Sequence, residues 1–165
     1  KKFKFLNNYT NLLDIGSYPG GWSQVSSSII NSGKILAVDL KKMDKIKNVS
    51  FLECDFLNDS SKEKISQFFE KKVDVIMSDM AADTTGNKSL DCIRTNQLCY
   101  EVIEFSTKIL KSNGILISKL FMGEDFLEVK KFAKSKFQKV QFFKPDSSRN
   151  ESRETYIHCA TLKTL

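Results

Sequence analysis

One histidine, one tryptophan and two prolines are all that the 165 residues contain, and glycine occurs only seven times. The four cysteines, Cys54, Cys92, Cys99 and Cys159, form no CxxC pair and show no regular spacing. With a single histidine to complete a ligand set, neither a Cys/His zinc site nor a disulfide framework fits; reduced thiols and no metal are expected. No run of about eighteen apolar residues exists, so no stretch reads as a membrane-spanning helix. The first ten residues, KKFKFLNNYT, lack the apolar stretch and small-residue cleavage site of a secretory signal. Acidic residues are in the minority: 20 Asp and Glu face 26 Lys and Arg, a formal net charge of +6. That excess favours an anionic partner, nucleic acid first. Hydrophobic residues at 41% and charged residues at 28% are ordinary for one folded domain of this length.

What is present is an alternation. Short apolar runs at 11–16, 34–40, 49–55, 73–79 and 114–121 read as strands, as do 139–144 and 155–163. Stretches with helical character lie between them, at about 21–30, 60–71, 93–110 and 125–137. The run VDVIMSD (73–79) is apolar nearly throughout, as a strand buried on both faces requires. This order predicts a single α/β domain with a mostly parallel sheet of seven strands and helices on both faces. The last two strands follow each other without a helix, which predicts an antiparallel edge strand. Residues 86–96, GNKSLDCIRTN, read as a flexible loop entering a helix, a lid in position.

The stretch LLDIGSYPGGWSQV (12–25) holds three of the seven glycines, one of the two prolines and the only tryptophan. A glycine-rich turn that leaves a buried strand and opens a helix is a ligand cradle. Glycine lets the backbone approach the ligand, and the helix N-terminus offers free N–H groups. The pattern GxxPGG is neither the dinucleotide GxGxxG nor the P-loop GxxxxGK[ST]. Asp39, at the end of the second strand and 23 residues after Gly16, suits an acid that binds ribose hydroxyls. Asp55, at the end of the third, is placed beside an adenine edge.

The segments DIGSYPGGWSQV, MSDMA, SKLFMGEDF and KPDSSRNESRETY follow one another in the order and spacing of the FtsJ methyltransferases. The likeness covers essentially the whole chain, and KPxSSRxxSRExY is its most specific part. The sequence is most similar to the bacterial and organellar branch, which methylates a uridine ribose 2′-hydroxyl in large-subunit ribosomal RNA. The resemblance implies a Rossmann-like class I fold and S-adenosylmethionine (SAM) as methyl donor. It implies an RNA partner, free or in a pre-ribosomal particle, no membrane, a monomer, and a cytoplasmic place with mitochondrion or another organelle as the alternative. It assigns Gly16, Ser17, Pro19, Gly20, Gly21 and Trp22 to the loop around SAM, and Asp39 and Leu40 to its ribose side. Asp55 and Phe56 fall at the adenine, and Asp79 beside the reacting methyl. Catalysis falls to Lys119, with Asp79 and Glu154. The family's fourth catalytic residue, a lysine in a helix before the first strand, would fall just ahead of residue 1. Lys1, Lys2 and Lys4 sit in a different local sequence and are not assigned its role.

A ribose 2′-hydroxyl must lose a proton as it attacks, so the site needs a base and strict positioning. Lys119 ends an apolar strand, where burial weakens its hold on a proton, while the carboxylates of Asp79 and Glu154 strengthen it. Base and orienting charge are therefore both open to it. Lys144, Arg149 and Arg153, among serines next to Glu154, suit phosphate contacts. Lys41, Lys42, Lys45 and Lys47 read as a solvated rim. His158, Phe68, Phe69, Phe142 and Phe143 read as packed residues, and Trp22 as packed beneath SAM or against the sheet.

Other readings fit less well. SDMA does not match the [DN]PP[YF] of amino-directed enzymes, and neither Cys92 nor Cys99 sits where a cytosine-C5 enzyme holds its nucleophile. The glycine pattern disfavours a nicotinamide enzyme. A non-catalytic RNA-binding or ribosome-assembly factor on the same fold, or a transfer-RNA 2′-O-methyltransferase, remains the alternative.

Overall fold

The structure, a computed structural model, describes residues 4–146, 148–149 and 151–164, so Lys1, Lys2 and Ser147 lie outside it. Two strands set the frame. β1 (Leu12–Ile15) and β4 (Val73–Ser78) are buried almost throughout and pair in parallel, Leu12 with Val75 to Ile15 with Ser78. Outward from β1 come β2 (Ile35–Asp39) and β3 (Val49–Glu53); outward from β4 comes β5 (Leu110–Phe121). The chain then forms β6 (Phe137–Phe143) and β7 (Glu154–Leu162), and the sheet order is β3-β2-β1-β4-β5-β7-β6. The mostly parallel seven-stranded sheet is borne out. Its antiparallel strand is β7, paired with β5 on one side and β6 on the other, so β6 forms the rim.

Alternation along β1 divides the core. Leu13 and Ile15 join a large cluster with Ile65 and Phe69 of α2 (Asp59–Phe69), Val102 and Ile103 of α3 (Lys88–Ile109), and Val129 of α4 (Phe126–Lys136). Leu12 faces the other way, into a smaller cluster with Ile30, Ile35, Val75 and Met77 beside α1 (Gly21–Ile29). Helices thus cover both faces, and each fully buried aliphatic side chain stabilises the fold by about 1.5–3 kcal/mol. The expectation for 86–96 is corrected: α3 begins at Lys88, so all but Gly86 and Asn87 is helical. Asn87 is the reason, because its side-chain oxygen accepts from the N–H groups of Ser89 and Leu90, both at 3.1 Å. Asp91 in the first turn then accepts from Thr85 N–H and Thr85 Oγ1 at 2.8 Å each, fastening the preceding loop to the helix.

Phe69 is buried, Phe68 and Phe142 pack at the margin of the large cluster, and Phe143 stacks on Tyr156 at 5.7 Å between ring centres. All four cysteines are free. Burial pushes the Cys99 thiol up to about 12 and Cys159 higher still, which makes both unreactive.

Candidate active site

Strand order reverses between β1 and β4, and in an open α/β sheet the crevice at the carboxyl ends of such strands is where ligands bind. The loop after β1 is built for close approach. Gly16 has φ 71°, and a Cβ there would lie 2.7 Å from Met80 Cγ and 2.9 Å from Met80 N. Gly20, the N-cap of α1, has φ 114°, and its Cβ would meet Ile46 Cδ1 and Met43 Sδ at 2.9 Å. Gly21 is the open side, with nothing within 4 Å of a Cβ. No side chain caps α1, which leaves its first N–H groups to a ligand.

Asp39 joins this loop to the end of β2. Tyr18 N–H donates to its Oδ2 at 2.9 Å and Lys41 N–H to its Oδ1 at 2.8 Å, so each oxygen keeps a lone pair for a hydroxyl. Ser17 is buried beneath, and Tyr18 and Leu40 are exposed beside it. Pro19 follows a cis peptide bond from Tyr18. Asp14, 1% exposed, accepts from Ser23 Oγ at 2.6 Å through Oδ2, while buried Oδ1 has no partner among the described residues. Burial pushes its carboxyl up to about 6 against the pull of Ser23, and the charges of Asp79 and Asp39 add to the rise. Trp22 packs into the smaller cluster, with its ring 5.6 Å from that of Tyr156.

Three residues expected to act together do lie together. Lys119, 9% exposed near the end of β5, places Nζ 3.0 Å from Asp79 Oδ1 and 3.3 Å from Glu154 Oε1. Asp79 directly follows β4 and is anchored by its N–H donating to Ile15 O at 3.0 Å. Glu154 arrives from the far end of the chain because antiparallel β7 sets it opposite Phe121 and sets Tyr156 opposite Lys119. The sequence reading omitted Tyr156, whose hydroxyl donates to Asp79 Oδ1 at 2.7 Å. Burial and that carboxylate hold its phenol far above the usual tyrosine range. The available signal was its spacing: two residues beyond Glu154 on a strand is the same face. Asp14 was omitted too, and an acid inside the apolar run LLDI was its mark.

Not every candidate converges on the crevice. The Phe56 ring is turned into the core against Phe105, centres 5.4 Å apart, and the residue is buried, so this side chain does not face the crevice. Asp55 spends Oδ1 on Leu57 N–H at 2.9 Å. Lys144, Arg149 and Arg153 are exposed around the loop leading into β7. Lys144 Nζ donates to Ser152 O at 2.7 Å, and an Arg153 guanidinium nitrogen lies 3.6 Å from Cys92 Sγ. Among the described residues no helix is long and apolar enough to cross a membrane, and no acid, cysteine or histidine cluster could hold a metal ion.

A crevice at the switch point, a glycine cradle and acids at three strand ends define the class: a Rossmann-like, SAM-dependent methyltransferase. The donor set suits that ligand, since the N-terminus of α1 would meet a carboxylate, Asp39 a ribose diol, and Asp14 and Asp79 positive charge. More narrowly, the chain belongs to the FtsJ-like methyltransferase family, whose profile matches residues 1–162. It is 42% identical over 163 residues to the ribosomal RNA large subunit methyltransferase E of Pelagibacter ubique, covering 99% of this chain and 80% of that protein. A crystal structure of a putative ribosomal RNA methyltransferase from Plasmodium falciparum superposes with a TM-score of 0.84 at 31% identity, over 96% of this chain and 89% of that one. Human methyltransferase-like protein 13, crystallised with SAH, shares the fold at a TM-score of 0.70 and 17% identity, covering 93% of this chain and 72% of the other.

Proposed function

We propose that the chain moves a methyl group from SAM to a ribose 2′-hydroxyl of large-subunit ribosomal RNA, at a uridine. The observation that carries this reading is the cluster of Lys119, Asp79 and Glu154 at the mouth of the glycine cradle. The relatives' activity, as their names state it, narrows the substrate to ribosomal RNA.

The loop from Gly16 to Trp22 and the Asp39 carboxylate hold SAM, which supplies an electrophilic methyl group when bound. Asp79 would offset positive charge next to the reacting carbon. Lys119, oriented by Asp79 and Glu154 and acting from its neutral amine form, accepts the proton that the 2′-oxygen releases as its bond to carbon forms. Lys144, Arg149 and Arg153 grip phosphates and hold the strand in register. A second reading rests on the two carboxylates beside Nζ: they favour the ammonium, which would then orient the hydroxyl as a fixed charge.

The test is radiolabelled methyl transfer to ribosomal particles, naked ribosomal RNA and transfer RNA, with Lys119→Ala and Lys119→Arg alongside. Label at a 2′-oxygen of ribosomal RNA, reduced at least about 100-fold in both variants, supports the base role. Full activity of Lys119→Arg sinks the base and leaves the fixed charge. SAM binding without transfer to any RNA, both by this chain and by one extended upstream through the expected lysine, sinks the enzyme reading in favour of an assembly factor.

A further inference from the structure

We infer that Tyr156 is a positioning residue for this site, acting through its hydroxyl on the carboxylate of Asp79; the inference deepens the reading above and rests on it.

Asp79 Oδ1 is claimed twice, by Tyr156 Oη at 2.7 Å and by Lys119 Nζ at 3.0 Å. Two donors converging on one oxygen fix the rotation of the carboxylate, and both are charge-assisted bonds. They also divide its negative charge, so the phenol sets how much of that charge Lys119 Nζ feels. Among the described residues both donors, Tyr156 Oη and Lys119 Nζ, reach Asp79 Oδ1 and none reaches Oδ2, which leaves Oδ2 open to a ligand. The phenol is itself immobile. Its ring is held between Trp22 at 5.6 Å and Phe143 at 5.7 Å, from α1 and β6, and the residue is 9% exposed. Pairing with Lys119 across β5 and β7 fixes its height along the sheet. A ring packed this firmly on two sides does not need its hydroxyl to stay in place, so the hydroxyl has a separate task.

Tyr156→Phe keeps the ring and deletes only the donor. With ribosomal RNA as acceptor, kcat falls about tenfold or more while KM for SAM stays within about twofold, because the loss is in alignment rather than in cofactor contacts. In an Asp79→Ala background, the same change has no further effect on transfer. A third arm needs no RNA: in protein labelled with 13C at tyrosine Cζ, Asp79→Asn moves one tyrosine resonance and leaves the other three in place. An unchanged kcat in Tyr156→Phe, or a rise in SAM KM alone, overturns the inference. So does a tyrosine spectrum indifferent to Asp79. Wild-type protein that methylates no RNA defeats the functional reading instead, and the tyrosine spectrum then still decides whether the phenol acts on Asp79.

Discussion

Asp14 is an acid at the centre of an apolar strand, and its position gives the molecule a measurable pH response. Its carboxyl is pushed from 3.8 up to about 6, burial being the largest cause. The folded state therefore holds the proton more tightly than the unfolded chain does. The extra stability from this residue is fully present below about pH 4 and is lost as pH rises through about 6, some 3 kcal/mol in all. Asp14→Asn cannot lose a proton, so its advantage over wild type should grow between pH 4 and 6 and then level. Urea unfolding of both proteins at several pH values reads this directly, and parallel pH curves would refute it. In the sequence, the acid shows only as an interruption between Leu13 and Ile15. Its bond to Ser23 joins a strand to the following helix, and nothing in local spacing announces that pairing.

Among the elements, α3 holds the end of β5 where the site needs it. Asn96, fully buried on α3, donates to Phe121 O at 3.0 Å and to Asp125 Oδ1 at 2.8 Å, and accepts from Phe121 N–H at 2.7 Å. Phe121 lies two residues beyond Lys119 on the same strand, so this amide steadies the strand end that carries the lysine. Asn96→Ala should lower stability by about 2–4 kcal/mol, because buried polar groups lose their partners. It should also lower kcat in the folded protein. Denaturant unfolding and methyl-transfer rates check the two effects, and a loss below about 0.5 kcal/mol would deny the clamp. At this scale the parallel strands were legible, since LLDIG, ILAVD and VDVIMS are apolar enough to name themselves. The first turns of α3 were not: SLDCIRTN carries the polar residues of a loop, and only the Asn87 cap reveals the helix. The entry of β7 between β5 and β6 is likewise a long-range pairing that no local pattern encodes.

Across the whole molecule, the net charge of +6 draws RNA without specifying a sequence. Arg149, exposed in the loop before β7, is the cleanest probe of that attraction. Arg149→Ala should weaken binding to different RNAs by similar factors and reduce the slope of log K against log salt by about 1. Fluorescence anisotropy across a salt series measures it, and an unchanged slope would remove Arg149 from the phosphate contacts. The sheet order has a consequence in time. During synthesis a chain carries Asp79 and Lys119 well before Glu154 and Tyr156 exist. Until β7 emerges, the outer edge of β5 is bare and β6 has no neighbour in the sheet. The closing of the sheet and the completion of the charge cluster are thus one event, since the strand that seats β6 also carries Glu154 to Lys119 and Tyr156 to Asp79.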